Sequence, residues 1–266
     1  MSTNIPRNIT AVFSSLIRSL WTPEKLSKVI SPHQFFDQIA RTAPIFQGYQ
    51  QQDAQEFLHC VLNRLHTEMS TTQHSTIITN LFQGELWNEI TCKKCGNVSV
   101  KSDPFLDLSL DIPEHLNPAI HGCLENYTAP CEAEWFCQRC GVSTNCEKTL
   151  KLGICPAILC LHLKRFRWNP GRRRKQKLDG FVEFPLSRLD VSDWMCIDYD
   201  TDNCGLYDCY AIVVHHGQGI NSGHYTAFVL GVENQWYHVN DEKVIPVTLE
   251  LVENVKAYII FYKRRE

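Results

Sequence analysis

From residue 31 the chain reads SPHQFFDQIARTAPIF, with Phe35, Phe36, Ile39 and Ala40 recurring on one helical face. Ser31 is suited to cap this helix, Pro32 fits its first turn and Pro44 closes the pattern. A second helix is predicted from Asp53, where Phe57, Leu58, Val61, Leu62, Leu65 and Met69 recur at helical spacing. Asp53 and Glu56 have the spacing of a capping box. The polar stretch STTQHSTIIT that follows reads as a loop.

After about residue 82 the period changes from helical to alternating. GELWNEITCKKCG, AILCLHLKRF, DCYAIVVHH, GHYTAFVL, NQWYHVN and AYIIFYKRR are short runs rich in β-branched and aromatic residues. In ILCLHLKRF, Leu159, Leu161 and Leu163 fall on one face, and Cys160, His162 and Lys164 on the other. Helices therefore lead and strands follow, which predicts an α+β fold with a largely antiparallel sheet. Residues 113–133 show no period and read as an irregular excursion. No internal repeat is present.

At 266 residues, with 44% hydrophobic and 21% charged positions, the chain can bury a substantial core. A net charge of -3 gives no global attraction to nucleic acid or acidic membranes, so neither is an expected partner. No run approaches the ~18 apolar residues of a membrane span. The N-terminus lacks the apolar core and small-residue cleavage site of a signal peptide, which predicts an intracellular protein. Thirteen cysteines without a secretory signal argue against a disulfide framework and for metal binding, a reactive thiol or core packing. Cys155, Cys160 and Cys209 have apolar neighbours and read as core.

Two Cys-x-x-Cys pairs are the strongest local signal: TCKKCG, with Cys92 and Cys95, and FCQRCG, with Cys137 and Cys140. Each puts two thiols on one tight turn, with a glycine just after to supply an unusual backbone angle. Two such knuckles meeting in space give four soft thiolates in a tetrahedral array, which suits one structural zinc with no open coordination position. The 41 residues between the pairs require two hairpins rather than a compact finger. Cys123, Cys131 and Cys146 lie nearby but lack paired spacing.

In GQGINSGHYTAFVLG, His224 stands at the start of a strand, after a glycine-bearing loop. Downstream, the strand in NQWYHVNDEKV ends on Asn240 and Asp241. An Asn or Asp side chain accepting from one imidazole nitrogen leaves the other free as a base. On chemistry alone this is half of a Cys-His-Asn/Asp or Ser-His-Asn/Asp site, or else a satisfied strand-end histidine.

These motifs occur in a recognisable order: YQQQDAQEFL, the two knuckles, FLDLSLDIP, LCLHLKRF, VEFPL, SGHYTAF and WYHVND. Together they resemble the ubiquitin-specific proteases, the cysteine deubiquitinases, from about residue 20 onward. The resemblance implies a papain-like hand in a single catalytic domain lacking its start. A partial helical thumb would span about 1–80, fingers with part of the palm about 81–155, and the palm about 156–266. It implies that His224 is the general base, Asn240 the third triad residue and Asp241 a supporting acid. Gln52, Asp53 and Glu56 fall in the box lining the cleft for the ubiquitin tail, and His215 matches a histidine near the active site. The expected partners are ubiquitin and ubiquitinated proteins, histones among them, with nuclear placement favoured.

One departure stands out. The family's nucleophile lies in an N-terminal Gly-Asn-x-Cys box that this sequence does not contain. The first cysteine is Cys60, inside the helix from Asp53, where it reads as packing. The chain is then a fragment or short form of an active protease, a ubiquitin-binding pseudoenzyme or scaffold, or an enzyme using another thiol. Separately, RFRWNPGRRRKQKLDG carries a basic run of Arg172, Arg173, Arg174, Lys175 and Lys177 after a Pro-Gly turn. It reads as a solvated hairpin loop, a nuclear-import signal or a contact for an acidic partner.

Overall fold

In a computed structural model, residues 8–22, 29–48, 50–70, 75–114, 118–169, 174–196, 205–219 and 222–265 are described. The helices are α1 (Ile9–Leu20), α2 (His33–Thr42), α3 (Ala54–Met69), α4 (Ile77–Phe82), α5 (Ile120–Thr128) and α6 (Leu249–Glu253). The strands are β1 (Gly84–Cys92), β2 (Val98–Phe105), β3 (Leu108–Leu110), β4 (Cys131–Cys137), β5 (Val142–Ile154), β6 (Ile158–Leu163) and β7 (Phe166–Asn169). They continue as β8 (Arg174–Lys177), β9 (Leu189–Asp190), β10 (Leu206–Gly219), β11 (Ser222–Leu230), β12 (Trp236–Asn240), β13 (Lys243–Val247) and β14 (Ala257–Arg264). Helices lead and strands follow, as the change of period predicts.

The strands form an eight-stranded sheet ordered β13-β12-β11-β10-β14-β6-β3, with β9 pairing β10, and a four-stranded sheet ordered β2-β1-β5-β4. All pairings are antiparallel except β3 with β6. The predicted alternation of β6 separates two packing layers. Leu159, Leu161 and Leu163 enter the main core with Ile120 and Leu124 of α5. Cys160, on the opposite face, packs with Tyr258 and Ile259 against Ala54 and Leu58 of α3. Both faces of this strand are therefore covered. Cys155, Cys160 and Cys209 are all buried, and burial raises all three thiols: Cys155 to about 11, Cys209 to about 12 and Cys160 well above its ordinary value.

The helices α1 to α4 share their own cluster around Ile9, Phe35, Ile39, Phe46, Leu62 and Leu65. Asn8 caps α1 by accepting from Ala11 N–H at 2.8 Å. Glu68 of α3 accepts from Ile9 N–H, Thr10 N–H and the Thr10 hydroxyl at 2.8–3.0 Å. Burial opposes the Glu68 charge, yet these bonds hold its carboxyl below the usual range.

Four local expectations differ from what forms. Ser31 accepts from His33 N–H at only 3.4 Å, and the N-cap of α2 is Pro32, without a side-chain bond. Asp53 caps α3 through Gln55 N–H at 2.8 Å, while Glu56 stands exposed, so the spacing of a capping box produces a simple cap. The polar stretch after Met69, which reads as a loop, contains the start of α4, where Thr76 and Thr79 exchange side-chain to backbone bonds. Residues 113–133 contain α5, whose buried Ile120, Cys123 and Leu124 are too few to reveal a period. The basic hairpin forms as β7 paired with β8, and its turn at 170–173 lies outside the described residues.

Candidate functional site

Strands β10, β11 and β12 are adjacent and antiparallel, so the start of β11 and the end of β12 meet at one end of the sheet. His224 Nε2 lies 2.8 Å from Asn240 Oδ1 and 3.7 Å from Asp241 Oδ2. Because the Asn240 oxygen only accepts, the imidazole donates from Nε2 and keeps the Nδ1 lone pair free. The His224 side chain is 47% exposed, so the imidazole is not sealed in the core. Asp241 sits in the turn after β12 at φ 51, a left-handed conformation that Asp tolerates.

The start of α3 is fastened against this end of the sheet. Asp53 accepts from the Tyr258 hydroxyl at 2.6 Å, and the Tyr225 hydroxyl accepts from Ala54 N–H at 3.4 Å. Gln51 donates its amide to the carbonyl of Gly223, the residue before His224. Gln52 is half-buried beside these bonds and makes none of them, and Glu56 faces solvent. His215 is buried, its ring set edge-on to Tyr225 at 4.8 Å and Phe166 at 5.1 Å. Burial, followed by the Lys177 charge, lowers its proton affinity. It is a buried group on the strand paired with that of His224 rather than an open one.

Further along α3, Asp107 accepts from Gln55 Nε2 at 3.0 Å and lies 3.2 Å from His59 Nδ1, tying the helix to the loop between β2 and β3. A cavity of about 530 Å³ opens there, lined by His59, Asn63, His66, Thr79, Gln83 and Asp107. A second cavity of about 790 Å³ adjoins Asn240 and Asp241, with Ile30 and Ser31 on its far side.

The four knuckle cysteines come together at one end of the four-stranded sheet. Cys92 ends β1 and Cys137 ends β4, and both strands pair with β5, so the two turns meet. The turns are built alike: Gly96 N–H bonds Cys92 O, Gly141 N–H bonds Cys137 O, both at 2.9 Å, with φ of 69 and 68 at the glycines. The Sγ atoms of Cys92, Cys95, Cys137 and Cys140 lie within 4.8 Å of one another, with Cys95 and Cys137 at 3.6 Å. A tetrahedral zinc with Zn–S of about 2.3 Å requires sulfurs about 3.8 Å apart, so the donor set fits. The Thr144 hydroxyl draws the Cys92 thiol down, while the neighbouring thiols, Cys95 first, push Cys140 up. Four thiols this close cannot all ionise without a cation between them. Cys146 faces Cys92 in register but donates to Ala133 O, Cys123 is buried in α5 and Cys131 is exposed on β4. None of the three joins the cluster.

Sequence reasoning missed Gln51, Tyr225, Tyr258 and Lys177. Gln51 stands in the same QQDAQEF stretch, next to Gln52. Lys177 belongs to the basic run in sequence, but its side chain is only 6% exposed and its ammonium bonds backbone carbonyls of β10. It is not part of a solvated basic face.

A profile of the ubiquitin carboxyl-terminal hydrolase family matches residues 1–262. The chain belongs to this family. It is 36% identical over 299 residues to ubiquitin carboxyl-terminal hydrolase 3 of Mus musculus, covering 96% of this chain and 56% of the relative. It is 35% identical to ubiquitin carboxyl-terminal hydrolase 2 of Gallus gallus, covering 94% of this chain and 78% of the relative. Among solved structures, the fold matches a chain of the SAGA Ubp8/Sgf11/Sus1/Sgf73 DUB module bound to ubiquitin aldehyde. The TM-score is 0.84 at 27% identity, covering 100% of this chain and 61% of that one. The chain thus spans little more than half the length of the first of these relatives. The mixed α+β fold with antiparallel sheets is the fold of this family. No helix among the described residues is long and apolar enough to cross a membrane.

Proposed function

We propose that the chain carries the base and the orienting amide of a thiol-dependent deubiquitinase that cleaves the isopeptide bond after the terminal glycine of ubiquitin. The bond from His224 Nε2 to Asn240 Oδ1 carries this reading, because it fixes the tautomer that leaves Nδ1 as a base. His224 Nδ1 takes the proton of a cysteine thiol, and the thiolate attacks the glycine carbonyl. The lysine amine leaves with that proton, and water hydrolyses the thioester. Asp241 supports the imidazole at longer range. Asp53 and Gln51 hold the start of α3 against the sheet, shaping the cleft for the ubiquitin tail, with Gln52 and Glu56 offering polar contacts.

The placement of the described cysteines supports reading this sequence as a form without its nucleophile. Cys60 packs with Phe57 in the helical cluster, four cysteines gather at the knuckles, and Cys123, Cys146, Cys155, Cys160 and Cys209 are buried, while the accessible Cys131 and half-buried Cys196 lie on or against the four-stranded sheet rather than beside His224. The same placement favours a second reading, a catalytically inactive protein that binds ubiquitin without cutting it. We assign a helical thumb to about 1–80, fingers with part of the palm to about 81–155 and the palm to about 156–266, with structural zinc at the four cysteines. Ubiquitin is the proposed ligand, ubiquitinated histones are proposed substrates of the intact enzyme, and nuclear placement is proposed with them.

The test is to mix the purified chain with ubiquitin bearing a thiol-reactive electrophile at its C-terminus, recording intact mass and binding. Binding without an adduct is the expected result. An adduct shows that a thiol of this polypeptide reaches the cleft and overturns the nucleophile-free reading. Absence of ubiquitin binding by the folded chain overturns both readings.

A further inference from the structure

The basic hairpin ends on a lysine whose surroundings are unlike those of a solvated charge. Lys177 closes β8 with its ammonium 3.0 Å from the carbonyl of His215, 2.7 Å from that of Gly217 and 3.1 Å from Asp179 Oδ1. An ammonium has three donors, and here there are three acceptors. Burying this charge at 6% exposure is costly unless every donor is used and a counter-charge is near. Asp179 supplies that counter-charge. Burial opposes its ionisation, but the Lys177 bond, followed by Lys177 and Lys256 charge, keeps its carboxyl below the ordinary range.

The two carbonyls held by Lys177 flank His216, and His216 is the cross-strand partner of His224 in the β10–β11 register. The register is interrupted just beyond this point, between His216 and Gly219, and Gly217 adopts φ +114. The backbone opposite the base is thus the place where the ladder alone stops fixing it. Gly223, immediately before His224, lies so close that an added Cβ would overlap the His215 ring and the His216 carbonyl. Whatever sets the position of residues 215–217 therefore sets the position of Gly223 and His224. Phe166, the register partner of Lys177 on β7, packs edge-on against His215 at 5.1 Å, so the base of the hairpin holds β10 by both a ring and a charge.

We infer that Lys177 is a positioning residue: its ammonium locks the end of β10 and, through Gly223, holds His224 in register with Asn240. This rests on the reading of His224 as the base. It adds that the hairpin, rather than only the strands carrying the two residues, maintains the His224–Asn240 bond.

The experiment is imidazole nitrogen NMR on histidine-labelled chain, with the His224 signals identified by their loss in His224→Ala. Wild type is expected to show one tautomer, protonated at Nε2. Lys177→Met is expected to lose that single pattern and populate both tautomers, while His121, remote against Trp194, keeps its own. If the Met variant does not fold, Lys177→Arg decides. It keeps the charge, but its planar fork cannot match three acceptors around one nitrogen, so a partial loss of the pattern is expected. A folded variant with the wild-type His224 pattern, even one of lower Tm, overturns the assignment by making Lys177 merely structural. So does a wild-type His224 that already averages between tautomers. The readout needs neither ubiquitin nor turnover, so its failure is distinct from failure of the functional proposal.

Discussion

Tyr258 on β14 donates its hydroxyl to Asp53, the residue that caps α3, at 2.6 Å across 205 positions of sequence. One carboxylate thus serves two ends: Oδ1 closes the helix through Gln55 N–H, and Oδ2 fastens that helix end to the sheet. Burial, followed by the Asp53 bond, raises the Tyr258 hydroxyl well above its ordinary range, so it stays a donor at all physiological pH. A hydrogen bond to a charged group is worth roughly 1.5–3 kcal/mol. Tyr258→Phe is expected to lower stability by about 2 kcal/mol in chemical denaturation and to weaken the ubiquitin binding proposed above. Metal content should not change. A Phe variant with wild-type stability removes the bond from the account.

The knuckles, the helix from Asp53 and most strands were legible because their signals are local: spacing, period and β-branched runs. The His224–Asn240 pair was legible only as two strand ends, since adjacency of β11 and β12 is a matter of register, which a single sequence does not state. The helices α4 and α5 were lost because each buries only a few residues, and tertiary packing against β5 and β6 rather than period decides them. Lys177 misled for a related reason. A lysine in a basic run has the same sequence signature whether its ammonium faces water or is folded onto two backbone carbonyls and a carboxylate.

Zinc should be required for the four-stranded sheet and not for the eight-stranded one. Elemental analysis is expected to give one zinc per chain, and Cys137→Ser to abolish it. Without metal the four sulfurs take up protons, and the turns at 92–96 and 137–141 lose the cross-link that brings them together. Hydrogen exchange should then show those turns and the adjoining ends of β1, β4 and β5 losing protection, while β10, β11 and β14 keep theirs. Retained protection at the turns after complete zinc removal would contradict the structural role.

Stability should fall as pH drops from about 7.5 to 5.5, before the carboxylates titrate. His162 is buried, with Nδ1 bonded to Ser109 at 2.9 Å and its ring edge-on to Tyr258 at 4.9 Å. Burial lowers its proton affinity in the folded state, and burial does the same at His215. The unfolded chain then binds more protons through this window, so acidification favours unfolding, and the stability is fully present above the unfolded histidine value of about 6.5. Asp179 and Glu68, whose carboxyls are depressed, lose their contribution only below about pH 4. Thermal midpoints across the window should show a shallower slope for His162→Gln than for wild type. Parallel slopes would assign the dependence elsewhere.

Gly223→Ala should be a damaging single methyl near the site. The glycine lies flush on β10, where a Cβ would meet the His215 ring and the His216 carbonyl. Neither can yield: His215 is buried among Phe166, Tyr225 and Tyr258, and its carbonyl, with that of Gly217, is held by Lys177. Overpacking of this kind costs typically 1–3 kcal/mol. The loop before His224 must instead lift, and in doing so break the bond from Gln51 to the Gly223 carbonyl and draw His224 from Asn240. Gly219→Ala is the matched control, because among the described residues a Cβ there meets only the Ser222 hydroxyl at 3.9 Å. The expected outcome is a loss of about 2 kcal/mol and of the His224 single-tautomer pattern in Gly223→Ala, with Gly219→Ala close to wild type. Equal behaviour of the two variants would show that the loop, and not its contact with β10, sets the base.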